Sequence, residues 1–89
     1  MTVLTVEDVF DVPGRGVVVT GTLVGGSLRS GTPVVLQRAN GRDRHCVCIG
    51  IEQFRRLLEE ANEGELVGLL LADLTASDVD PDDQVVALE

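Results

Sequence analysis

Tryptophan and tyrosine are missing from this sequence, and Phe10 and Phe54 are the only aromatic residues it has. The core must therefore be aliphatic, and there is no stock of rings on which a run of exposed bases could stack. Basic residues are also scarce: seven against fifteen acidic ones leave a formal net charge of −8. That field repels phosphate, so broad electrostatic binding of nucleic acid is excluded and any RNA contact must be a small local pocket. No long hydrophobic run occurs. Leu69 to Ala72, behind Leu66-Val67, falls far short of the ~20 residues of a membrane-spanning helix. Met1 leads into alternating Thr and Val with no basic start, which gives no sign of a targeting segment. The expectation is a soluble, cytoplasmic protein without a membrane partner.

Signals for catalysis and cofactors are equally thin. Gly14-Arg15-Gly16 begins like a dinucleotide fingerprint, but Val19 stands at the third glycine and the chain continues as a strand, not a helix. Gly21 to Ser27 has the spacing of a phosphate-binding loop but lacks its lysine. The single histidine, His45, has no evident nucleophile partner. Asp78 to Asp83 has turn composition and reads as a solvated loop without calcium-loop spacing. Cys46 and Cys48 point to one face of a strand and read as reduced, buried thiols. With His45 they are too few for a metal site. The sequence thus reads as a non-enzyme with no cofactor and no metal.

What is present is a β pattern. Eighty-nine residues, 44% of them hydrophobic, make one domain spanning 1–89 with material for a modest core. Val3 to Asp11 alternates as a strand, with Leu4, Val6 and Phe10 on one face beside Asp8, and Val9 on the other. Pro13, Gly14 and Gly16 make a turn with Arg15 at its tip. The β-branched run Val17 to Thr20 opens the next strand, to Val24. Leu28 to Thr32 is a short connection, Pro33 starts a strand through Leu36, and Asn40-Gly41 predicts a tight hairpin turn. His45 to Phe54 is a long strand with Val47, Ile49 and Ile51 on one face and a bulge or close approach at Gly50. Glu65 to Leu74 is the most apolar strand and so central, and Gln84 to Leu88 closes the set. Arg55 to Asn62 is made of helix formers and would be helical on propensity alone. The whole pattern is all-β: a small antiparallel barrel of six or seven strands.

Several linked stretches carry a resemblance to a known family. Val9-Phe10 followed by Gly14-Arg15-Gly16-Val17-Val18-Val19-Thr20-Gly21, then Leu28-Arg29-Ser30-Gly31, Gly50 to Arg55 and Gly64 to Leu70, resemble the second domain of elongation factor Tu and its translational GTPase relatives. The likeness covers nearly the whole chain in order, without the family's GTPase and third domains. It implies a closed β-barrel, with the region after Arg55 mostly extended. It also implies a non-catalytic part in translation elongation: holding the aminoacylated 3′ end of tRNA beside a GTPase domain or another translation component. The matching positions are Glu7, Asp8 and Phe10 on the first strand, Val12 and Arg15 at the turn, and Glu52, Phe54 and Arg55 on the long strand. A carboxylate such as Glu52 can accept from a ribose hydroxyl, Val12 can pack on adenine, and Arg15 or Arg55 can offset a phosphate. A plainer reading of these residues makes Phe10 and Phe54 core and Glu52 and Arg55 a surface pair, and a separate alternative for function is a free-standing barrel that binds another protein and no RNA. The chain departs from the family at Leu66, where Asn is usual, at Leu71-Ala72-Asp73 for Leu-Arg-Gly, and at Pro81-Asp82-Asp83 for basic residues.

Overall fold

The computed structural model describes residues 1–88. Its elements are β1 (Val3–Thr5), β2 (Asp8–Val12), β3 (Gly16–Val24), β4 (Leu28–Arg29), β5 (Pro33–Gln37), β6 (Arg44–Gln53), β7 (Arg56–Leu58), β8 (Glu60–Ala61), β9 (Leu66–Ala72) and β10 (Gln84–Ala87), with one 3-10 turn at Ala76–Asp78. Every pairing is antiparallel. The ladder runs β1-β10-β5-β6-β9-β3, and β3 returns to pair with β1. Six strands thus close on themselves as a small antiparallel β-barrel. β2 prolongs β1 along β3, β7 folds back on β6, and β4 and β8 form a separate two-stranded ribbon.

The hydrophobic core cluster is aliphatic apart from a thiol. Leu4, Val17, Val19, Leu36, Leu69 and Leu71 are fully buried, and Cys48 lies among them. Neither phenylalanine is core: Phe10 is 56% and Phe54 84% exposed. β3 shows why the β-branched run suits this place. Val17, Val19 and Leu23 point inward while Val18 and Thr20 point outward, and β9 answers with Val67, Leu69 and Leu71 inward.

Two one-residue insertions reset the alternation expected from sequence. On the first strand, Leu4 pairs with Leu23 but Asp8 with Thr20, so Thr5 to Asp8 takes one residue more than β3 does. The extra residue turns the strand over. Leu4 and Val6 face the core, but beyond the bulge it is Val9 that packs against it and Phe10 that faces solvent. On β6, Cys48 pairs with Leu71 and Gly50 with Leu70, so Ile49 is the extra residue. The irregularity expected at Gly50 is there, and it brings Ile51 to the inner face with Cys48, away from Val47 and Ile49.

Three other expectations are corrected or decided by tertiary contacts. The register Leu36↔Arg44 leaves residues 37–43 outside the β5–β6 ladder. The connection at Asn40-Gly41 is therefore wide, drawn aside by Ala39, whose N–H donates to the Asp83 carboxylate at 3.0 Å. Asp83 is buried at 2% exposure and not solvated. Its other oxygen accepts from the Asp80 N–H at 2.9 Å. Helix formers notwithstanding, the stretch after Arg55 is mostly extended, as β7 and β8. Leu58 pairs with Ile51 and packs on the core, Ala61 is buried opposite Leu28, and a helix of two turns has little stability of its own to oppose this.

Candidate functional site

Lateral register builds the site. Across the outer face of β2, β3, β9, β6 and β7, one row reads Phe10, Val18, Leu70, Gly50 and the next reads Asp8, Thr20, Gly68, Glu52, Leu57. Gly50 and Gly68 leave gaps in rows otherwise filled by side chains. A Cβ at Gly68 would stand 3.1 Å from Val18 Cγ1 and 3.4 Å from Glu52 Cγ, so the missing methyl is the depth of the hollow. The result is a cleft of about 410 Å³, within the ~300–1,000 Å³ range of small-ligand sites. Val12, Val18 and Leu70 supply apolar walls, Leu57 and Leu58 the far side, and Arg15, Ser30 and Glu52 the polar side chains.

Arg15 reaches the cleft because the β2–β3 turn is tight. Its N–H donates to the Val12 carbonyl at 3.0 Å, and Gly16 follows at a positive φ of 145°. A Cβ on Gly16 would overlap the Leu71 carbonyl oxygen, so only glycine lets this turn lie against β9. Glu52 is fixed between Gly68 and Leu57 by its pairs on both sides. Ser30 enters from the end of β4, where its Oγ donates to the Ile49 carbonyl at 3.3 Å, at the bulge of β6.

Of the eight residues singled out in sequence, the cleft gathers Val12, Arg15 and Glu52. Asp8 and Phe10 share its outer rows without lining it. Glu7 lines a separate hollow with Thr22, Val24 and Pro81. Phe54 and Arg55 form the tip of the β6–β7 hairpin, both at positive φ (49° and 66°), a turn whose twist suits a hairpin but costs residues with a Cβ ~1–2 kcal/mol each. The ion pairs among the described residues are Arg29–Glu60 and Arg44–Asp78, both 3.5 Å, so Glu52 and Arg55 do not form one. Sequence reasoning missed Val18, Ser30, Gly68 and Leu70. A glycine within the most apolar strand was the one local signal for Gly68. Nothing local marks Ser30.

Elsewhere, burial and local hydrogen bonds shift Cys46, Cys48 and Asp78. Burial pushes the Cys48 thiol up to about 11, and it raises Cys46 as well, less the pull of the Arg44 guanidinium. The Thr75 N–H, donating at 2.9 Å, holds the Asp78 carboxyl below the usual carboxylate range, helped by the Thr75 hydroxyl and Arg44. No three His, Cys, Asp or Glu side chains among the described residues converge as metal ligands, and no helix among them is long and apolar enough to cross a membrane.

The departures noted in sequence lie around this face. Leu66 is 52% exposed two residues before Gly68, and its carbonyl accepts from Gln53 Nε2 at 3.2 Å. Asp73, at a φ of 64°, lies beyond Arg15 in an adjoining hollow with Thr75. The family model for elongation factor Tu domain 2 matches residues 16–81, about three-quarters of the chain. That span holds Ser30, Glu52 and Gly68 and most of the barrel, while Val12 and Arg15 lie just ahead of it. With the closed barrel and the ordered run of matching stretches, this makes the chain a member of the elongation factor Tu domain 2 family, a β-barrel module of translation factors.

Proposed function

We propose that the cleft receives the terminal adenosine of an aminoacylated tRNA 3′ end, and that the module acts in translation elongation as a non-catalytic, cytoplasmic recognition element. The observation that carries this reading is the convergence of Val12, Arg15 and Glu52, from two separate parts of the chain, on one apolar slot. A base fits between Val12, Val18 and Leu70. Glu52 accepts from a ribose hydroxyl, and Arg15 at the turn offsets a phosphate. Asp8 and Phe10 on the first strand, and Phe54 and Arg55 at the hairpin tip, then border the path of the amino acid and the preceding nucleotides, while Glu7, in its separate hollow, takes no part.

Magnitudes set the context of binding. One packed base contributes ~1–3 kcal/mol and each good hydrogen bond ~1 more. Association costs at least ~4 kcal/mol, and the net charge of −8 opposes the outer phosphates. The module alone should bind at millimolar strength or weaker, and a GTPase domain closing over the cleft would supply the rest. In an NMR titration with a short aminoacylated CCA mimic, amides of Val12 to Gly16, Gly50 to Glu52 and Gly68 should shift. Glu52→Ala should abolish the shifts and leave the remaining spectrum in place. An unmoved spectrum at high ligand concentration would sink the reading.

A second reading rests on a different observation. Phe10, Leu57 and Leu66 stand 56%, 86% and 52% exposed around the cleft, with Phe54 at the hairpin tip beside them. Such a face suits a protein partner, a translation component bound without RNA. A partner that protects these side chains while the CCA mimic moves nothing would favour it.

A further inference from the structure

Ser30 is the one polar side chain of the cleft that the adenosine reading leaves without a part. It does not belong to the apolar walls. Its Oγ donates to the Ile49 carbonyl at 3.3 Å, and a hydroxyl that donates one hydrogen bond still has two lone pairs to offer. Ile49 is the extra residue of the β6 bulge, so it lies outside the regular β6–β9 pairing. Ser30 and Ile49 both line the cleft, so the bulge brings a hydroxyl and a carbonyl oxygen together in its lining, apart from Arg15 and Glu52.

Spacing makes this end meaningful. Ile49 and Glu52 are three residues apart on β6, ~10 Å at ~3.3 Å per residue and somewhat less across a bulge. That is about the length of one nucleoside. A nucleoside whose ribose is held at Glu52 is thus long enough to lay its base over Gly50 and Leu70 and reach Ser30 and the Ile49 carbonyl.

We propose that Ser30 is a specificity-determining residue of this cleft: with the Ile49 carbonyl it accepts from the amino group on the six-membered ring of a 6-aminopurine and so selects against 6-oxo and unsubstituted purines. The inference rests on the nucleoside reading above. A 6-oxo group turns an acceptor toward the Ile49 carbonyl, and it can be satisfied only if Ser30 gives up its own bond to that oxygen. An unsubstituted purine leaves both oxygens without a donor.

The test is an NMR titration of the chain with adenosine, inosine and purine riboside, repeated on Ser30→Ala and Ser30→Thr. Adenosine should bind the unaltered protein about two- to tenfold more tightly than the other two, the worth of one neutral hydrogen bond. Ser30→Ala should erase most of that preference by weakening adenosine alone, and Ser30→Thr, which keeps the hydroxyl, should restore it. If the three nucleosides bind the cleft equally, or Ser30→Ala weakens all three alike, the role of Ser30 is overturned and the nucleoside site stands. If no nucleoside shifts the cleft amides, both fall together.

Discussion

Two walls of the same barrel present outward rows of very different character. On the β1–β10–β5–β6 wall, Val3, Val86, Val35 and His45 are lateral neighbours. Val86 and Val35 are buried although they point away from the core, because each shields the next. On the β2–β3–β9–β6–β7 wall, the corresponding rows contain Gly50 and Gly68. Each wall carries an apolar run, Val3-Val86-Val35 on one and Phe10-Val18-Leu70 on the other. What separates a closed surface from a cleft is the size of the residue at one or two lateral positions. Hydrophobicity covers a face, and the glycines decide where it opens.

The sharpest break in the comparison sets interior against rim. Leu36, wholly buried behind the closed wall, should cost about 2–5 kcal/mol of stability when changed to Ala. Leu57, 86% exposed at the cleft, should cost no more than about 0.5 kcal/mol. Urea denaturation of the two variants measures both; similar midpoints would mean that β7 carries core packing its exposure does not reveal.

An intermediate effect should follow Gly68→Ala. The added methyl would stand 3.1 Å from Val18 Cγ1, so it occupies the floor of the hollow and asks a small shift of its neighbours. Removing the space for about one methyl group's worth of ligand contact, ~0.8 kcal/mol, should weaken adenosine binding roughly fourfold. The global fold should persist, as read from an amide spectrum changed only near Val18, Glu52 and Gly68. Undiminished binding would show that the ligand does not reach the floor.

The smallest effect concerns the loop behind the site. Asp78 titrates below its ordinary value of 3.8 in the folded chain because the Thr75 N–H donates to it. A carboxyl depressed in this way stabilises the fold above its unfolded pKa. That contribution disappears as the pH falls through the lower folded value. Asp78→Asn should thus be slightly less stable than the parent at pH 6, with the gap closing as the pH falls below the ordinary value of 3.8 and through the lower folded value. A gap that stays constant over this range would assign the effect to shape, not charge.

Much of the barrel is legible in the sequence, for identifiable reasons. The run Val17 to Val19 with Gly16 before it declares a strand leaving a tight turn. Glu65 to Leu74 declares a central strand by unbroken apolar character, and Leu69 and Leu71 are indeed fully buried. Val12, Arg15 and Glu52 can be named through family likeness, and they line one cleft. Phe10 illustrates the limit. Counting in twos from Leu4 sets its face, and the count fails wherever a strand takes an extra residue. Ile51 falls to the wrong face for the same cause, even though Gly50 itself signals an irregularity. Gly68 and Ser30 do not stand out as site residues because their role depends on what stands beside them across the sheet.

By itself, then, the sequence determined an all-β chain with an aliphatic core, a cationic turn at Arg15 and strands separated by glycine and proline. These properties are local: they follow from backbone freedom, β-branching and the supply of side chains. Tertiary structure alone decided which face each strand shows after its bulge, why the stretch after Arg55 is mostly extended, why Asp83 is buried and where the surface opens. Those outcomes depend on pairing between residues far apart in the chain. Cys48 meets Leu71 and Gly50 meets Leu70, and no window of sequence records that one residue between them has been left over.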